Sequence, residues 1–369
     1  MVEPLSESAT ETANPHEDAI VRTDTGVRVR FGAGLRHEIG SEIERLGCSR
    51  SLILSTPQQS QGALSLAEDA GELAAGVFTK AVMHTPVEVS EEAVAHARSV
   101  NADCVVAIGG GSTTGLGKAI ALRTDLPQIV IPTTYAGSEA TPILGQTENG
   151  LKVTLTDDKV LPEVILYDPE LITSLPVEMT VTSALNAMAH AAEALYAQNR
   201  TPELTDMAVE GLQALISGLP EVIKDPDNLD ARQQTMHGAW LCGTVLGRAG
   251  MALHHKLCHT LGGTFDLPHA ATHAIILPHA IAYNEGAAAD QLSPLKEMLG
   301  SKSAGQGLYE FAKRTGAPLA LKDLGVSEAD LDKAADLAVE NAYWNPRPIT
   351  RSGIRQVLQS AWEGQCPPE

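Results

Sequence analysis

Five β-rich runs alternate with helical stretches in the first half of the chain, between about residues 21 and 168. Parallel strands need long crossover connections, usually helices, so this alternation predicts a doubly wound parallel sheet with helices on both faces. An insertion, TENGLKVTLTD (147–157), predicts a β-hairpin with a type I′ turn at Asn149-Gly150. The five runs are SLILST (51–56), VFTKAVM (77–83), CVVAIG (104–109), QIVIP (128–132) and VILYD (164–168).

The remainder of the chain has a different character. After Pro176 it is rich in alanine and leucine, with helical periodicity and few β-branched runs, which predicts a mainly helical second domain. The acidic N-terminal segment lacks the basic and apolar pattern of a signal peptide. We therefore predict a disordered tail at 1–20, an α/β domain at 21–175 and an α-helical domain at 176–369.

Charge and cysteine usage exclude several classes of partner. The net charge is −20 and no run of lysine or arginine offsets it, so a nucleic-acid backbone would be repelled. The five cysteines form no CxxC pair, which favours free thiols in a reducing compartment. No apolar run reaches the about 18 residues that a membrane span needs. We expect a cytoplasmic protein that acts on a small molecule, with neither nucleic acid nor membrane as partner.

A glycine-rich turn lies between a strand and a helix in CVVAIGGGSTTGLGKAIAL. Backbone N–H groups at the start of a helix, unobstructed by side chains, can bind a pyrophosphate. The dinucleotide pattern GxGxxG is incomplete because Thr114 replaces the third glycine, and a Walker A loop does not fit either. A tight turn without a ligand remains an alternative. The candidate cofactor-binding residues of this turn are Gly109, Gly110, Gly111 and Ser112.

A second loop strengthens the prediction of a ligand. The segment IVIPTTYAGSEATPI places Thr133, Thr134 and Ser138 just past the end of another predicted strand. Ligands of parallel α/β sheets bind at the carboxyl ends of the strands. Two such loops on neighbouring strands favour a bound dinucleotide.

Histidines are concentrated in the helical half. Six of them lie within residues 254–279, and His255 and His259 are four residues apart. Asn186 and His190 share the same spacing, with Glu193 close to the same helix face. A single histidine in an apolar helix is more often a hydrogen-bonded core residue than a ligand, and a structural role is expected for three of them. These three are His254, His273 and His279.

Together these motifs resemble the iron-containing alcohol dehydrogenase family, from about Phe31 to the C-terminus. GGGS, PTT…GSE, HAAEA and the H-x3-H-x9-H pattern occur here in that family's order. The resemblance implies a dehydroquinate synthase-like architecture, a nucleotide-binding α/β domain, and an active site in the cleft beside the helical domain. It also implies a divalent metal held by an aspartate and three histidines, which map onto His190, His255 and His269.

The position that matches the family's aspartate is Asn186. An amide oxygen carries no formal charge and is a poor ligand for Fe²⁺ or Zn²⁺ compared with a carboxylate. We therefore predict that the degenerate set Asn186, His190, His255 and His269 binds no metal. Other departures are Gly115 in place of the family's aspartate in GGGSxxD, the loop YAGS (135–138), and NPRPITR (345–351).

With these departures the sequence resembles one branch of the family, the maleylacetate reductases. The resemblance implies reduction of the C=C bond of maleylacetate to 3-oxoadipate during degradation of aromatic compounds. NADH or NADPH would be the cofactor, and a homodimer is the family expectation. Thr56 stands where NAD-specific relatives carry an aspartate, so the 2′-phosphate of NADPH is not repelled and both cofactors are expected to work.

This reaction needs hydrogen-bond donors at a developing enolate oxygen, a proton source, and cations for two carboxylates. It does not need a strong Lewis acid. We assign His259 as the leading proton donor and His269 as the next candidate. His255, His190 and Asn186 would bind a carboxylate or the enolate oxygen.

Tyr135 and Arg347 are candidates for the distal carboxylate, and Lys256 is either a further cation or a surface charge. Two other functions remain open. One is a metal-dependent alcohol or aldehyde dehydrogenase on the same scaffold, and the other is a non-catalytic dinucleotide-binding protein.

Overall fold

A computed structural model describes residues 19–148, 150–340 and 343–368. Residues 1–18 of the predicted disordered tail lie outside this range, whereas Ala19 and Ile20 begin the first strand. The strands are β1 (Ala19–Arg22), β2 (Arg28–Phe31), β3 (Ser51–Leu54), β4 (Ala74–Phe78), β5 (Cys104–Gly109), β6 (Gln128–Pro132), β7 (Ile143–Glu148), β8 (Leu151–Thr156) and β9 (Val164–Tyr167).

Helices follow the strands of the first half and make up most of the second half. The helices are α1 (Ile39–Arg45), α2 (Ser60–Ala70), α3 (Val87–Ser99), α4 (Gly111–Thr124), α5 (Val177–Ala194), α6 (Pro202–Lys224), α7 (Leu229–Arg248), α8 (Leu253–Phe265), α9 (His269–Glu285), α10 (Ser293–Leu299), α11 (Ala304–Arg314), α12 (Asp330–Val339) and α13 (Arg351–Glu363).

The main sheet has seven strands in the order β1-β2-β9-β6-β5-β3-β4. All neighbouring pairs are parallel except β1 with β2, which is antiparallel. The predicted α/β class is therefore confirmed, with β1 and β2 as strands that the sequence did not predict. The strand predicted at 77–83 was wrong in its bounds, since β4 ends at Phe78.

Alternate residues of the central strands pack on opposite faces of the sheet. Ile53 and Val106 contact α1 and α2 on one face, whereas Leu52 and Val105 contact α3 and α4 on the other. This alternation follows from the two-residue period of a strand. Both faces are thus covered by helices, as a doubly wound sheet requires.

The predicted hairpin is present. Strands β7 and β8 pair antiparallel from Ile143–Thr156 to Glu148–Leu151. Gly150 has a φ of 76°, but Asn149 lies outside the described residues, so the type I′ turn stays a prediction.

Helix α5 forms the centre of the helical half and is buried along most of its length. It packs against α6, α7 and α9, so the residues of α5 lie in the largest apolar cluster. The last strand of the sheet ends at Tyr167 and α5 begins at Val177, on either side of the domain boundary predicted at 175/176. Within the described ranges no helix is long and apolar enough to cross a membrane.

Candidate active site

The glycine turn connects β5 to α4, as the sequence predicted. Gly109 has a φ of 152°, and a Cβ atom there would lie 2.4 Å from Thr113 Oγ1 and 2.7 Å from Gln59 Oε1. A Cβ atom on Gly110 would lie 2.9 Å from Thr134 Cγ2. The turn therefore needs glycine both for its backbone conformation and for the close approach of neighbouring side chains.

Three loops meet at the carboxyl edge of the sheet, after the adjacent strands β3, β5 and β6. Thr56 directly precedes the short turn Pro57–Gln59 after β3. Gln59 Nε2 donates to Thr133 Oγ1 at 2.8 Å, and the N–H of Thr133 donates to the carbonyl of Gly109 at 3.0 Å. The structure thus brings together the loops that carry the predicted cofactor-binding residues.

Lys118 holds the backbone of the second loop by hydrogen bonds, a role that sequence reasoning missed. Its buried ammonium donates to the carbonyl oxygens of Ser138 at 2.6 Å, Thr141 at 2.6 Å and Ile143 at 2.8 Å. Burial lowers the pKa of Lys118 to about 7, and the charge of Glu139 acts in the opposite direction. Gly117 and Lys118 do not belong to a Walker A loop. Lys118 instead fixes the backbone of the second loop at Ser138.

Gly115 stands where the family pattern has an aspartate, and the structure leaves no room for a side chain there. A Cβ atom would lie 2.4 Å from Thr85 Oγ1. Thr85 is buried and has a φ of 45°, and the preceding His84 has a φ of 66°. Positive φ is uncommon for a β-branched residue, so a strained loop occupies the space beside Gly115.

The second loop also touches the helical half. Gly137 has a φ of 77°, and a Cβ atom on it would lie 2.9 Å from the Cα atom of Gly243 in α7. The same added Cβ atom on Gly137 would lie 3.7 Å from His190 Nδ1. The loop after β6 therefore passes directly beside the histidine helix α5.

Asn186 and His190 lie one turn apart on the buried helix α5, and the ring of His190 lies beside that of His255 from α8 in a buried cluster. All three are less than a tenth exposed, and the ring centroids of His190 and His255 lie 5.2 Å apart. Asn186 Oδ1, His190 Nδ1 and His255 Nε2 are buried without a hydrogen-bond partner among the described residues. Burial, with the neighbouring charges of His255 and other histidines, holds the pKa of His190 well below its ordinary value.

Glu193 lies one turn after His190 and is completely buried. It accepts from the backbone N–H groups of Ala252 at 2.9 Å and His254 at 2.7 Å. It also pairs with His255 Nδ1 at 2.7 Å. The spacing of the sequence placed Glu193 near the histidine face, but its partners lie about 60 residues further along the chain and could not be predicted.

His259 and His269 lie at the exposed side of the cluster, at α8 and at the first residue of α9. The ring centroid of His259 is 6.2 Å from that of His255. The ring centroid of His269 is 4.2 Å from that of His273. Both imidazoles are therefore near the buried cluster and also reach solvent.

The remaining histidines of this region are buried in the helical packing. His254 Nε2 lies 3.0 Å from His273 Nδ1 and 3.6 Å from Cys258 Sγ. Burial lowers the pKa of His254 and His273 well below the ordinary value and that of His279 to about 4. Their position agrees with the structural role expected from the sequence.

One of the family's metal-ligand positions is altered in this chain, where Asn186 stands in place of the aspartate. In the described ranges only two groups bring three histidine, cysteine or carboxylate ligand atoms within 4.8 Å of one another, and neither combines His190, His255 and His269. Asn186 replaces the anionic ligand, so a dication would meet only neutral donors. These two groups are His254-Cys258-His273 and Cys48-Asp103-Cys104.

Two predicted substrate-binding residues make other contacts in this structure, and their role in substrate binding stays a prediction. Tyr135 is 1% exposed, and its hydroxyl lies 2.8 Å from Thr235 Oγ1 in the apolar core. Arg347 stacks 4.1 Å from the ring centroid of Tyr283 and donates to the carbonyl of Tyr283 at 2.9 Å. Tyr135 faces the core because its loop turns inward after β6, and Arg347 is held on α9.

Asn345 begins the NPRP segment and connects it to helices α8 and α9. Its Nδ2 donates to Asn284 Oδ1 at 2.6 Å, and its Oδ1 accepts from the N–H of Leu253 at 3.3 Å. Lys256 Nζ lies 5.8 Å from the ring centroid of Tyr343. The segment therefore holds the first turn of α8 in place.

Two family descriptions match almost the whole chain. "Iron-containing alcohol dehydrogenase" matches residues 26–169, and "Fe-containing alcohol dehydrogenase family, C-terminal" matches residues 180–362. The chain belongs to the iron-containing alcohol dehydrogenase family. The family resemblance of the sequence motifs is thereby confirmed.

Within this family the chain is similar to maleylacetate reductases. The maleylacetate reductase of Rhizobium sp. (strain MTP-10005) is 60% identical over 94% of this chain and 99% of that protein. That of Burkholderia cepacia is 52% identical over 92% of this chain and 97% of that protein. The crystal structure of maleylacetate reductase from Agrobacterium tumefaciens superposes with a TM-score of 0.91 at 59% identity, covering 95% and 99% of the two chains. These relatives confirm the branch that the sequence resembles.

Proposed function

We propose that this protein reduces the conjugated C=C bond of maleylacetate to give 3-oxoadipate, with NADH or NADPH as the hydride donor. The near-full-length identity of 60% to a maleylacetate reductase carries this proposal. The replacement of the family's anionic ligand by Asn186 supports it, because conjugate reduction of an enone needs no strong Lewis acid.

The three loops at the carboxyl edge of the sheet form the cofactor site in this proposal. The pyrophosphate would bind the N–H groups of the first turn of α4, which begins at Gly111 directly after Gly109 and Gly110. When bound, the reduced nicotinamide supplies a hydride to the carbon β to the ketone. Thr56 after β3 carries no charge that would repel a 2′-phosphate, so we infer that NADH and NADPH are both used.

In this proposal the histidine cluster binds the carboxylates of the substrate and the enolate oxygen that forms during the reaction. Hydride addition converts the enone to an enolate, and protonation of the α carbon then completes the saturated bond without any leaving group. The buried nitrogens of His190 and His255 that lack partners in the described structure suit the enolate oxygen or a carboxylate when they carry a proton, whereas Asn186 would use its amide NH₂ because its Oδ1 only accepts. His190 Nδ1 lies 3.7 Å from the position of a Cβ atom on Gly137, which supports a substrate site next to the proposed cofactor loops.

His259 is the proposed proton donor, with His269 as the next candidate. Both are exposed at the side of the buried cluster, so either can exchange protons with solvent between turnovers. A positioned general acid contributes about 10²- to 10⁴-fold to such a step. The His259→Ala variant is therefore expected to lose at least about 100-fold in kcat. His37→Ala serves as the control, because that ring pairs with Asp69 at the surface of the α/β half.

One assay separates this function from its rivals. The rate of NADH oxidation by maleylacetate is measured with and without EDTA, together with the metal content of the protein. We expect reduction that EDTA leaves unchanged. Stoichiometric metal with activity lost in EDTA would instead indicate a metal-dependent dehydrogenase, and NADH binding without turnover would indicate a non-catalytic protein. We further infer a cytoplasmic homodimer, and light scattering that gives the monomer mass would contradict it.

A further inference from the structure

Glu193 is the only residue of α5 whose carboxylate is both fully buried and bonded to the helix that carries His255 and His259. Its Oε2 atom lies 2.7 Å from His255 Nδ1 and accepts from the N–H of Ala252 at 2.9 Å. Its Oε1 atom accepts from the N–H of His254 at 2.7 Å. One buried anion thus connects α5 to the beginning of α8.

We propose that Glu193 is a positioning residue that fixes both the tautomer and the orientation of His255. A carboxylate only accepts hydrogen bonds, so the 2.7 Å contact requires a proton on His255 Nδ1. A neutral imidazole has one N–H, so with the proton held on Nδ1 the other nitrogen, Nε2, carries none, and this nitrogen is buried. Nε2 has no partner among the described residues, so it is the atom left to meet a ligand.

The same carboxylate takes the place of a helix cap. The first N–H groups of a helix lack partners within the helix, and Ala252 at the N-cap of α8 has no side chain that could accept them. Glu193 accepts from three N–H groups at this end of the helix, those of Ala252, His254 and His255, and adds a negative charge at its positive end. The ring of His255 and the helix that carries it are therefore held by one group.

The consequence for the reaction rests on the proposed function. With glutamine at position 193, one carboxylate oxygen becomes an amide NH₂, which donates and cannot accept. At the Oε2 position it would face His255 Nδ1–H, and at the Oε1 position it would face the N–H of His254, so in either orientation the side chain no longer holds both the ring and the start of the helix. The ring is then expected to move its proton to Nε2 or to rotate. Groups that orient a functional histidine in this way change activity by about 10- to 100-fold when they are altered.

Glu285 provides a matched control. It accepts from the N–H of Ala304 at 2.9 Å and from Ser303 Oγ, and so caps α11 with a carboxylate. In the described part of the chain its hydrogen-bond partners are Ser303, Ala304 and Gly305, none of which is a histidine. The Glu285→Gln variant thus measures the effect of neutralising a helix-capping carboxylate alone.

The test combines ring ¹⁵N chemical shifts with kinetics on the full-length protein. Histidine is ¹⁵N-labelled, and the signals of His255 are identified by their loss in His255→Asn. We expect a protonated Nδ1 in the wild type and in Glu285→Gln, and a lost or mixed Nδ1–H in Glu193→Gln. With maleylacetate and NADH, kcat is expected to fall about 10- to 100-fold in Glu193→Gln only, with little change in KM for NADH.

Several results would overturn the proposal. An unprotonated Nδ1 of His255 in the wild type refutes it without any variant at position 193, so the proposal stays testable even where Glu193→Gln does not fold. Equal ring shifts or equal kcat values in the two glutamine variants also refute it. Absence of maleylacetate turnover in the wild type would remove the proposed function, while the ring shifts would still decide the role of Glu193.

Discussion

Replacing Gly109 with alanine is expected to damage both the stability of the protein and its cofactor site. Gly109 has a φ of 152°, a conformation that costs a residue with a Cβ atom about 1 to 3 kcal/mol. The added Cβ would also lie 2.4 Å from Thr113 Oγ1 and 2.7 Å from Gln59 Oε1. Such overpacking costs about 1 to 3 kcal/mol more. The combined loss of about 2 to 6 kcal/mol is a large part of a usual domain stability of about 5 to 15 kcal/mol.

The loss extends to ligand binding because Gln59 and Thr113 would have to move. Gln59 holds Thr133 in the neighbouring loop, so its displacement opens the edge where we place the pyrophosphate. Urea unfolding measures the stability, and quenching of protein fluorescence by NADH measures the affinity. We expect a lower unfolding midpoint and weaker NADH binding in Gly109→Ala.

Gly62→Ala is the matched control in the same half of the chain. Gly62 lies in α2, and a Cβ atom there would meet nothing within 4 Å. Alanine in a helix is favoured over glycine by about 0.5 to 1 kcal/mol, so this variant is expected to be slightly more stable. If Gly109→Ala unfolds at the same urea concentration as the wild type and binds NADH equally well, the reasoning about the turn is refuted.

Three further changes test the site and the buried histidines. Asn186→Asp returns a carboxylate to the amide position, and equilibrium dialysis with metal analysis is expected to show tighter Zn²⁺ binding; equal binding would contradict the ligand argument. Tyr135→Phe removes the bond to Thr235 and is expected to lower the unfolding free energy by about 1 kcal/mol without changing KM for maleylacetate, whereas a large rise in KM would return Tyr135 to the substrate site. Burial lowers the pKa of His279 to about 4. Between about pH 6.5 and pH 4, His279 therefore takes up a proton in the unfolded chain but not in the folded protein. The free energy of unfolding falls as the pH falls through this range, because protonation favours the unfolded chain. In His279→Leu, the slope of the unfolding free energy against pH is expected to be smaller by about 1.4 kcal/mol per pH unit, as measured by urea titrations at several pH values. An unchanged slope would contradict a buried neutral His279.

The fold could be predicted where burial alone decides the structure. The bounds predicted for β5 and β6 agree with the structure because these strands are buried on both faces and consist of apolar residues. Strand β2 was missed because it contains Arg28 and Arg30, which are buried in ion pairs with Glu42 of α1. Arginine is usually exposed unless it is paired, so a strand that contains it is predicted to be buried only when its partner is known. Here the partner, Glu42, is brought close only by tertiary packing. Strand β4 was misplaced because its first residues are alanine and glycine at the sheet edge.

The site could be predicted as a set of residues but not as an arrangement. Helical spacing places Asn186 and His190 on one face, and the structure brings His255 to them. The direction of a side chain in a loop has no comparable periodicity. Tyr135 and Arg347 were therefore assigned by their chemistry, and the structure places one in the core and the other against Tyr283.

The contact between Gly137 and Gly243 explains how the two halves form one site. A Cβ atom on Gly243 would lie 2.7 Å from the carbonyl oxygen of Gly137, so backbone meets backbone and neither side has a flexible group that could yield. Lys118 holds the next residue of the loop, Ser138, which prevents the loop from moving away without the loss of buried hydrogen bonds. His190 Nδ1 lies 3.7 Å from the position that a Cβ atom on Gly137 would take, so this packing sets the distance from the proposed cofactor edge to the histidine cluster. The glycine of the second loop thus serves the site by close packing between the halves, in addition to any contact with a ligand.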